Sequence, residues 1–161
     1  MVTIINILFI IDLIFICYID SKKYIIPNTL NLGIVFLKML KIIFFNFSFE
    51  ASFIGMGVYP IILLFIYGYI SEIYKVELIG FGDVKLMMSI GFYNSYTSIF
   101  QVMTYYNIIS IIGIFTYLIV VKVRRKRDSV ETKLAFAPII ILSYFILNIL
   151  EKIIWRKRGV Y

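Results

Sequence analysis

Asp20 and Asp83 are the residues through which this 161-residue sequence could do chemistry. The chain holds nine acidic residues and no histidine. Without an imidazole there is no HExxH zinc site and no serine or cysteine hydrolase with a histidine base, so catalysis would fall to carboxylates. Glu50, Glu72, Glu77, Asp128, Glu131 and Glu151 read as solvated loop residues. Asp12, Asp20 and Asp83 lie within or against apolar runs, where a charge is costly and marks function or a paired contact. Two carboxyls a few ångströms apart resist joint ionisation and hold one proton between them, giving an acid and a base around one water. That is the minimum needed to hydrolyse a peptide bond without metal or histidine.

Asp20 ends one apolar run and Asp83 opens another, which puts Asp20 near a negative helix C-terminus and Asp83 near a positive N-terminus. On that reading Asp20 holds the shared proton at rest and Asp83 is the starting base. Asp12 is about 12 Å up the same helix from Asp20, too far to join the pair. It is expected to be an interhelical hydrogen-bond partner or a residue of the outer bundle, without a catalytic role. Ser21 and Ser89 have no base nearby in the sequence and are expected to pack or cap helices.

The elements that must position these carboxyls are membrane helices. Hydrophobic residues make up 62% of the chain and charged residues only 16%, and the apolar stretches lack the polar alternation of a soluble fold. Six spans would use about 120 of the 161 residues and leave short loops. The expectation is an all-α, polytopic bundle of about six transmembrane helices forming one domain over 1–161, with no soluble domain. The spans are expected at 4–18, 29–45, 51–70, 82–96, 99–121 and 134–154. Between the first two, residues 20–28 read as a surface loop, with Pro27 disfavouring helix at Ile26 and Asn28 capping the next helix. Residues 71–83 read as a polar stretch outside the hydrocarbon. Gly55, Gly57 and Gly68 in the third span are expected to permit close helix approach, and Pro138 is tolerable in the first turns of the last.

A net charge of +7 would suit nucleic acid, but the basic residues sit at the ends of apolar runs and not along one amphipathic face, so no nucleic-acid partner is expected. Lys22, Lys23, Lys75, Lys85, Lys122, Arg124, Arg125, Lys126, Arg127 and Lys133 fall in loops on one side. By the positive-inside rule that side is cytoplasmic and the N-terminus lies outside. Lys22, Lys23 and the run 124–127 are expected to contact anionic lipid headgroups. Lys38 and Lys41 are expected to snorkel toward headgroups, and Trp155 and Tyr161 to anchor at the interface. The basic tail Lys152, Arg156, Lys157 and Arg158 runs against the rule. Cys17 is the only cysteine, so no intrachain disulfide or CxxC zinc site can form, and no cofactor or metal is expected.

Gly80 and Gly82 flank Phe81 just before Asp83 and are expected to allow unusual dihedrals and close approach of a substrate strand. Lys85, at the unfavourable start of a helix, implies a carboxylate or lipid phosphate beside it.

The segments YIDSKKYIIPN (18–28) and IGFGDVK (79–85) resemble the prepilin peptidases, or type IV leader peptidases, whose signature is an Asp upstream of Ile/Leu-Pro-Asn and a GxGD motif. AFAP (135–138) is similar to the family's proline motif before the last helix. The resemblance implies a six-helix peptidase of the bacterial inner membrane, with Asp20 and Asp83 as its catalytic aspartates. It would cut the basic leader from type IV prepilin-like precursors at the cytoplasmic face. Pro27, Asn28, Gly80, Gly82, Lys85 and Pro138 would bind substrate or shape the site. Larger relatives also N-methylate the new terminus through an added zinc-binding part. This sequence resembles the short, peptidase-only form, without that N-terminal part. Two other readings stay open: a small transporter component using Asp12 and Asp20 for protons or cations, and an aspartyl intramembrane protease acting on signal peptides.

Overall fold

A computed structural model describes residues 1–75, 79–124 and 135–157. Among the described residues there are six helices and no strand: α1 (Val2–Lys23), α2 (Asn28–Phe45), α3 (Phe49–Tyr74), α4 (Phe81–Asn94), α5 (Ile99–Arg124) and α6 (Ala137–Lys157). α1, α2, α3 and the Ile99–Val120 part of α5 are long and apolar enough to cross a membrane. The protein is an all-α, multi-pass membrane bundle.

Its outside confirms the solvent. Ile4, Ile7, Leu8, Ile11, Ile14, Phe15 and Tyr18 of α1 are exposed, while Ile5, Phe9, Leu13, Ile16 and Asp20 are buried. That buried stripe advances three or four residues at a time, the period of one helix face, so the face that packs inward ends on Asp20. In α2 the polar Asn31, Lys38 and Lys41 share the inner face with Ile34 and Leu37, and Leu32, Phe36 and Ile43 face out. Polar residues turned to the interior and large apolar ones turned outward are what a bilayer selects.

α4 differs from the expected fourth span. It is 14 residues long, about 21 Å, and falls short of the roughly 30 Å hydrocarbon layer. Its buried residues, from Asp83 through Tyr93, point to every side, as in a helix enclosed by others. It packs against α2 and α3, with α6 also touching it, while α1 lies against α2 and α6 and α5 against α6.

Apolar side chains gain little from leaving lipid, so close backbone contact and polar bonds must hold such a bundle. α3 and α4 cross where Gly55 meets Gly91. A Cβ on Gly55 would collide with the Gly91 carbonyl oxygen, and one on Gly91 would come within 2.7 Å of Tyr59 Cβ. Gly57 and Gly68 have nothing within 4 Å, so only Gly55 fulfils the expected role. The crossing is clamped by Tyr96 N–H donating to the Ala51 carbonyl at 2.8 Å and Asn94 Nδ2 donating to Tyr59 Oη at 2.8 Å. Tyr93 Oη donates to Asn6 Oδ1 at 2.8 Å, and its ring stacks on Phe9 at 3.6 Å, fixing α1 to α4. Tyr105 Oη donates to the Ile140 carbonyl at 2.9 Å and joins α5 to α6.

Several boundaries depart from the sequence reading. α1 continues through residues 20–23, so Asp20 is helical and not in a loop. The break comes at Tyr24, whose φ of 54° is left-handed. α3 runs on through Ser71–Tyr74, beyond the expected end of the third span. It is interrupted after Val58, where Pro60 supplies no N–H, and carries a π turn over Ile66–Ile70. Residues 76–78 (with Glu77), 125–134 (with Arg125, Lys126, Arg127, Asp128, Glu131 and Lys133), the side chains of Arg124, Trp155, Arg156 and Lys157, and residues 158–161 (with Arg158 and Tyr161) lie outside what the structure describes.

The Gly55–Gly91 crossing predicts that Gly91→Ala destabilises the bundle by about 1–3 kcal/mol through overpacking. Gly57→Ala, with open space around it, should be neutral or slightly stabilising. Thermal unfolding in detergent reads both, and equal melting temperatures for the two variants would show that the crossing does not hold α3 to α4.

Candidate active site

Three chain segments build the surroundings of the two aspartates. The first is the end of α1 with the 24–27 turn. Ile26 is buried there, and a Cβ on Gly82 would lie 3.4 Å from its Cβ. Gly82 thus sets the contact between the turn and the start of α4. Pro27 occupies the N-cap position of α2 with φ −64° and ψ 129°, and Asn28 is the first helical residue. The expected capping role of Asn28 is not seen, since no side chain caps that end. The Asn28 amide oxygen instead accepts a hydrogen bond from Lys85 Nζ at 3.2 Å, and that ammonium lies 4.9 Å from the centre of the Phe81 ring. Lys85 is therefore held by an amide and an aromatic face, and no carboxylate among the described residues pairs with it. Contacts Gly82–Ile26 and Lys85–Asn28 stitch the two motif segments together.

The second segment is the start of α4. Gly80 is its N-cap at φ −71°, and the Asp83 N–H donates to the Gly80 carbonyl at 3.0 Å. The glycine does not use left-handed dihedrals here. A Cβ on Gly80 would stand 3.4 Å from Asp83 Oδ2, an ordinary van der Waals contact. Ser89, one turn beyond Lys85, donates back to the Lys85 carbonyl at 3.0 Å and is a packing residue, as expected.

The third segment is the start of α6. The Ala137 N–H donates to Asp20 Oδ2 at 3.1 Å in a fully buried contact. Asp20 thus stands at the end of α1 and against the positive N-terminus of α6 at once. Pro138 follows in the first turn, as expected, where its missing N–H costs nothing. Sequence reasoning singled out Pro138 and missed the amide before it. A proline just inside a helix start marks the free N–H groups around it, and that was the available signal.

Asp20 is 4% exposed and Asp83 9% exposed. They lie close enough for the Asp20 charge to act on Asp83. Asp83 opens α4, outside the four apolar spans. Burial pushes its carboxyl up to about 7, the charge of Asp20 pushes the same way, and a backbone hydrogen bond at Gly80 works against both. Asp83 Oδ1 is buried with no hydrogen-bond partner among the described residues. The contacts give Asp20 an N–H donor and leave Asp83 Oδ1 without one, an asymmetry that helix dipoles alone did not predict.

Asp12 stays apart. Its Oδ2 faces Gly33 of α2, where an added Cβ would come within 3.1 Å. It lies between helices, and of its two expected roles the interhelical hydrogen bond is not formed among the described residues. Among the described residues no group of three or more Cys, Asp or Glu side chains could hold a metal ion.

The profile of the type IV leader peptidase family matches residues 7–121, which include Asp20, Asn28 and the whole 79–85 motif. The chain belongs to the type IV leader peptidase family. No curated protein and no solved structure gives a significant match. As a member of this peptidase family it is a membrane protease, and the buried aspartate pair lies within the matched region.

An unfolded aspartate ionises above about pH 3.9, whereas Asp83 in the folded family member keeps its proton up to about 7. Stability is therefore lost as pH rises from about 4 through 7. Asp83→Asn, neutral throughout, should be more stable than the wild type at pH 8, by on the order of 4 kcal/mol, with the gain shrinking toward pH 4. Melting curves at pH 5 and pH 8 measure this; a gain equal at both values would mean that Asp83 is not held protonated.

Proposed function

We propose that the protein hydrolyses the leader peptide from type IV prepilin-like precursors, using Asp20 and Asp83 as its catalytic pair at the cytoplasmic face of the bacterial inner membrane. The observation that carries this reading is the buried pair itself. One carboxyl is held by an amide donor and the other has an unpartnered oxygen and a proton retained to about 7. Ionised Asp20 takes a proton from water as the oxygen adds to the scissile carbonyl carbon. Protonated Asp83 gives its proton to the carbonyl oxygen. As the tetrahedral adduct collapses, the proton on Asp20 passes to the leaving nitrogen, the C–N bond breaks, and Asp83 recovers a proton from the adduct hydroxyl. No charge needs to leave the site.

The cytoplasmic orientation is supported by Lys22, Lys23 and Lys85, which lie at the end of the bundle that carries the pair. Lys22 and Lys23 are exposed and suited to anionic headgroups. Pro27 and Asn28 start α2 beside the pair, so they shape its edge, and Gly80, Gly82 and Lys85 hold the segment that presents Asp83.

Asp20→Asn and Asp83→Asn should each lower cleavage of a pilin-like precursor by at least about 100-fold while leaving membrane insertion intact. Retained cleavage in either variant removes that residue from the mechanism. Cleavage of a remnant signal peptide in place of the precursor would transfer the same chemistry to the other substrate class. For the wild type, kcat/KM should fall as pH rises through about 7, because Asp83 then loses the proton it donates. The pair titrates as one unit, so the profile is expected to be a bell with that alkaline limb. A rate that stays flat from pH 6 to 9 would contradict Asp83 as the acid.

A further inference from the structure

The end of the bundle away from the aspartates holds a second polar constellation, which peptide hydrolysis does not use. A cavity of about 680 Å³ opens there, lined by Lys38 and Lys41 of α2, Lys152 of α6, and Ser48, Asn94 and Ser95. Lys38 is 2% and Lys41 7% exposed, so neither reaches outward to headgroups as the sequence suggested. Lys38 Nζ donates to Ser95 Oγ at 2.8 Å, and Ser95 is in turn 3.0 Å from Ser52 Oγ. Lys41 Nζ stands 4.3 Å over the Tyr93 ring. The two ammonium groups share the Phe47 ring, at 5.0 Å and 5.5 Å. Among the described residues no acidic side chain lines this cavity and no carboxylate pairs with Lys38 or Lys41, the nearest acidic influence being the charge of Glu151 on the wall residue Tyr144.

Two ammonium groups gathered in one water-poor space repel each other and have each lost hydration. Aromatic faces and one hydroxyl return only part of that loss. We infer that this cavity is an anion site that takes a phosphate group, held between Lys38 and Lys41 and closed on its open side by Lys152. Lysine point charges with serine and asparagine side chains at hand suit the tetrahedral, multiply charged phosphate. The volume exceeds that of a bare phosphate, and apolar walls from Phe9, Ile10, Phe145 and Ile149 flank the polar end. These features fit the phosphate of a lipid headgroup with its acyl chains along the walls; free phosphate shares the chemistry and would use the same lysines. The site also gives a reason for Lys152 on a side where the positive-inside rule expects few cations. The inference stands apart from the peptidase mechanism and is tested without it.

The full-length protein is held in dodecyl maltoside, which carries no phosphate, and its melting temperature is followed as phosphatidylglycerol or inorganic phosphate is added. Bound anion should raise the melting temperature by several degrees. A rise with phosphatidylglycerol alone identifies the headgroup as the ligand, and a rise with inorganic phosphate identifies the free ion. K152Q, altered at an exposed position, should reduce the rise, and K38M/K41M should abolish it. In dodecyl maltoside alone K38M/K41M should melt above the wild type, because it removes two uncompensated charges. The inference is overturned if neither anion shifts the wild type, if K38M/K41M shifts as much as the wild type, or if that variant is less stable under every condition, which would mean the ammonium groups already have internal partners.

Discussion

The hydrogen bond from the Ala137 amide to the Asp20 carboxylate is the contact on which the arrangement turns. A carboxylate withdrawn from water is tolerated only with a partner, and among the described residues no cation supplies it. The partner is the free N–H end of a helix that begins 117 residues later in the chain. One bond therefore satisfies two orphaned groups, the buried acid and a helix-terminal donor. It also fixes where the last helix starts relative to the end of the first, and α4 sits against the bundle that these helices help to close.

α4 is the element that such a closure makes possible. A 14-residue helix is too short to cross the membrane alone. It survives because neighbours cover it, and the Gly55–Gly91 crossing lets α3 come close enough to do so. A central helix buried on every side has little freedom to rotate, so the residue in its first turn is held in direction as well as in place. That residue is Asp83. The same burial that immobilises it withholds water from its carboxyl and drives the proton retention on which acid–base work at neutral pH depends. Position and acidity are thus two consequences of one packing fact.

The sequence made the class of fold legible, because apolar runs of this length with charges only at their ends admit few other solutions. It also made the aspartates legible, since the lack of histidine left carboxylates alone and two of them adjoined spans. It hid the facing of side chains. In α1 nearly every residue is apolar, so no contrast between faces revealed that the inner stripe ends on Asp20. In α2 the polar contrast existed at Asn31, Lys38 and Lys41, but an inward lysine reads like a snorkelling one until its neighbours are known. Helix ends were misplaced for a related reason: residues 20–23 are polar, and polarity was taken for a loop, although an amphiphilic helix end at a membrane edge keeps its hydrogen bonds. The Ala137 donor was hidden because a backbone amide has no letter of its own, and only the proline beside it gave a trace.

The two polar ends of the bundle are held in register by the same pair of helices. Lys85 reaches Asn28 near the aspartates and Lys38 reaches Ser95 at the far cavity, each joining residues 57 apart in the chain. An equal offset at both ends means that α2 and α4 run parallel with no slip between them over about ten residues of each. Sliding α4 by one residue along α2 would break both bonds together and turn different side chains inward, since each residue advances the helix by about 100°. Such a slide would also drive the Gly55–Gly91 crossing out of register, where there is no room for displacement. The polar contacts at the extremities and the close crossing with α3 together fix the height of α4, and with it the placement of Asp83.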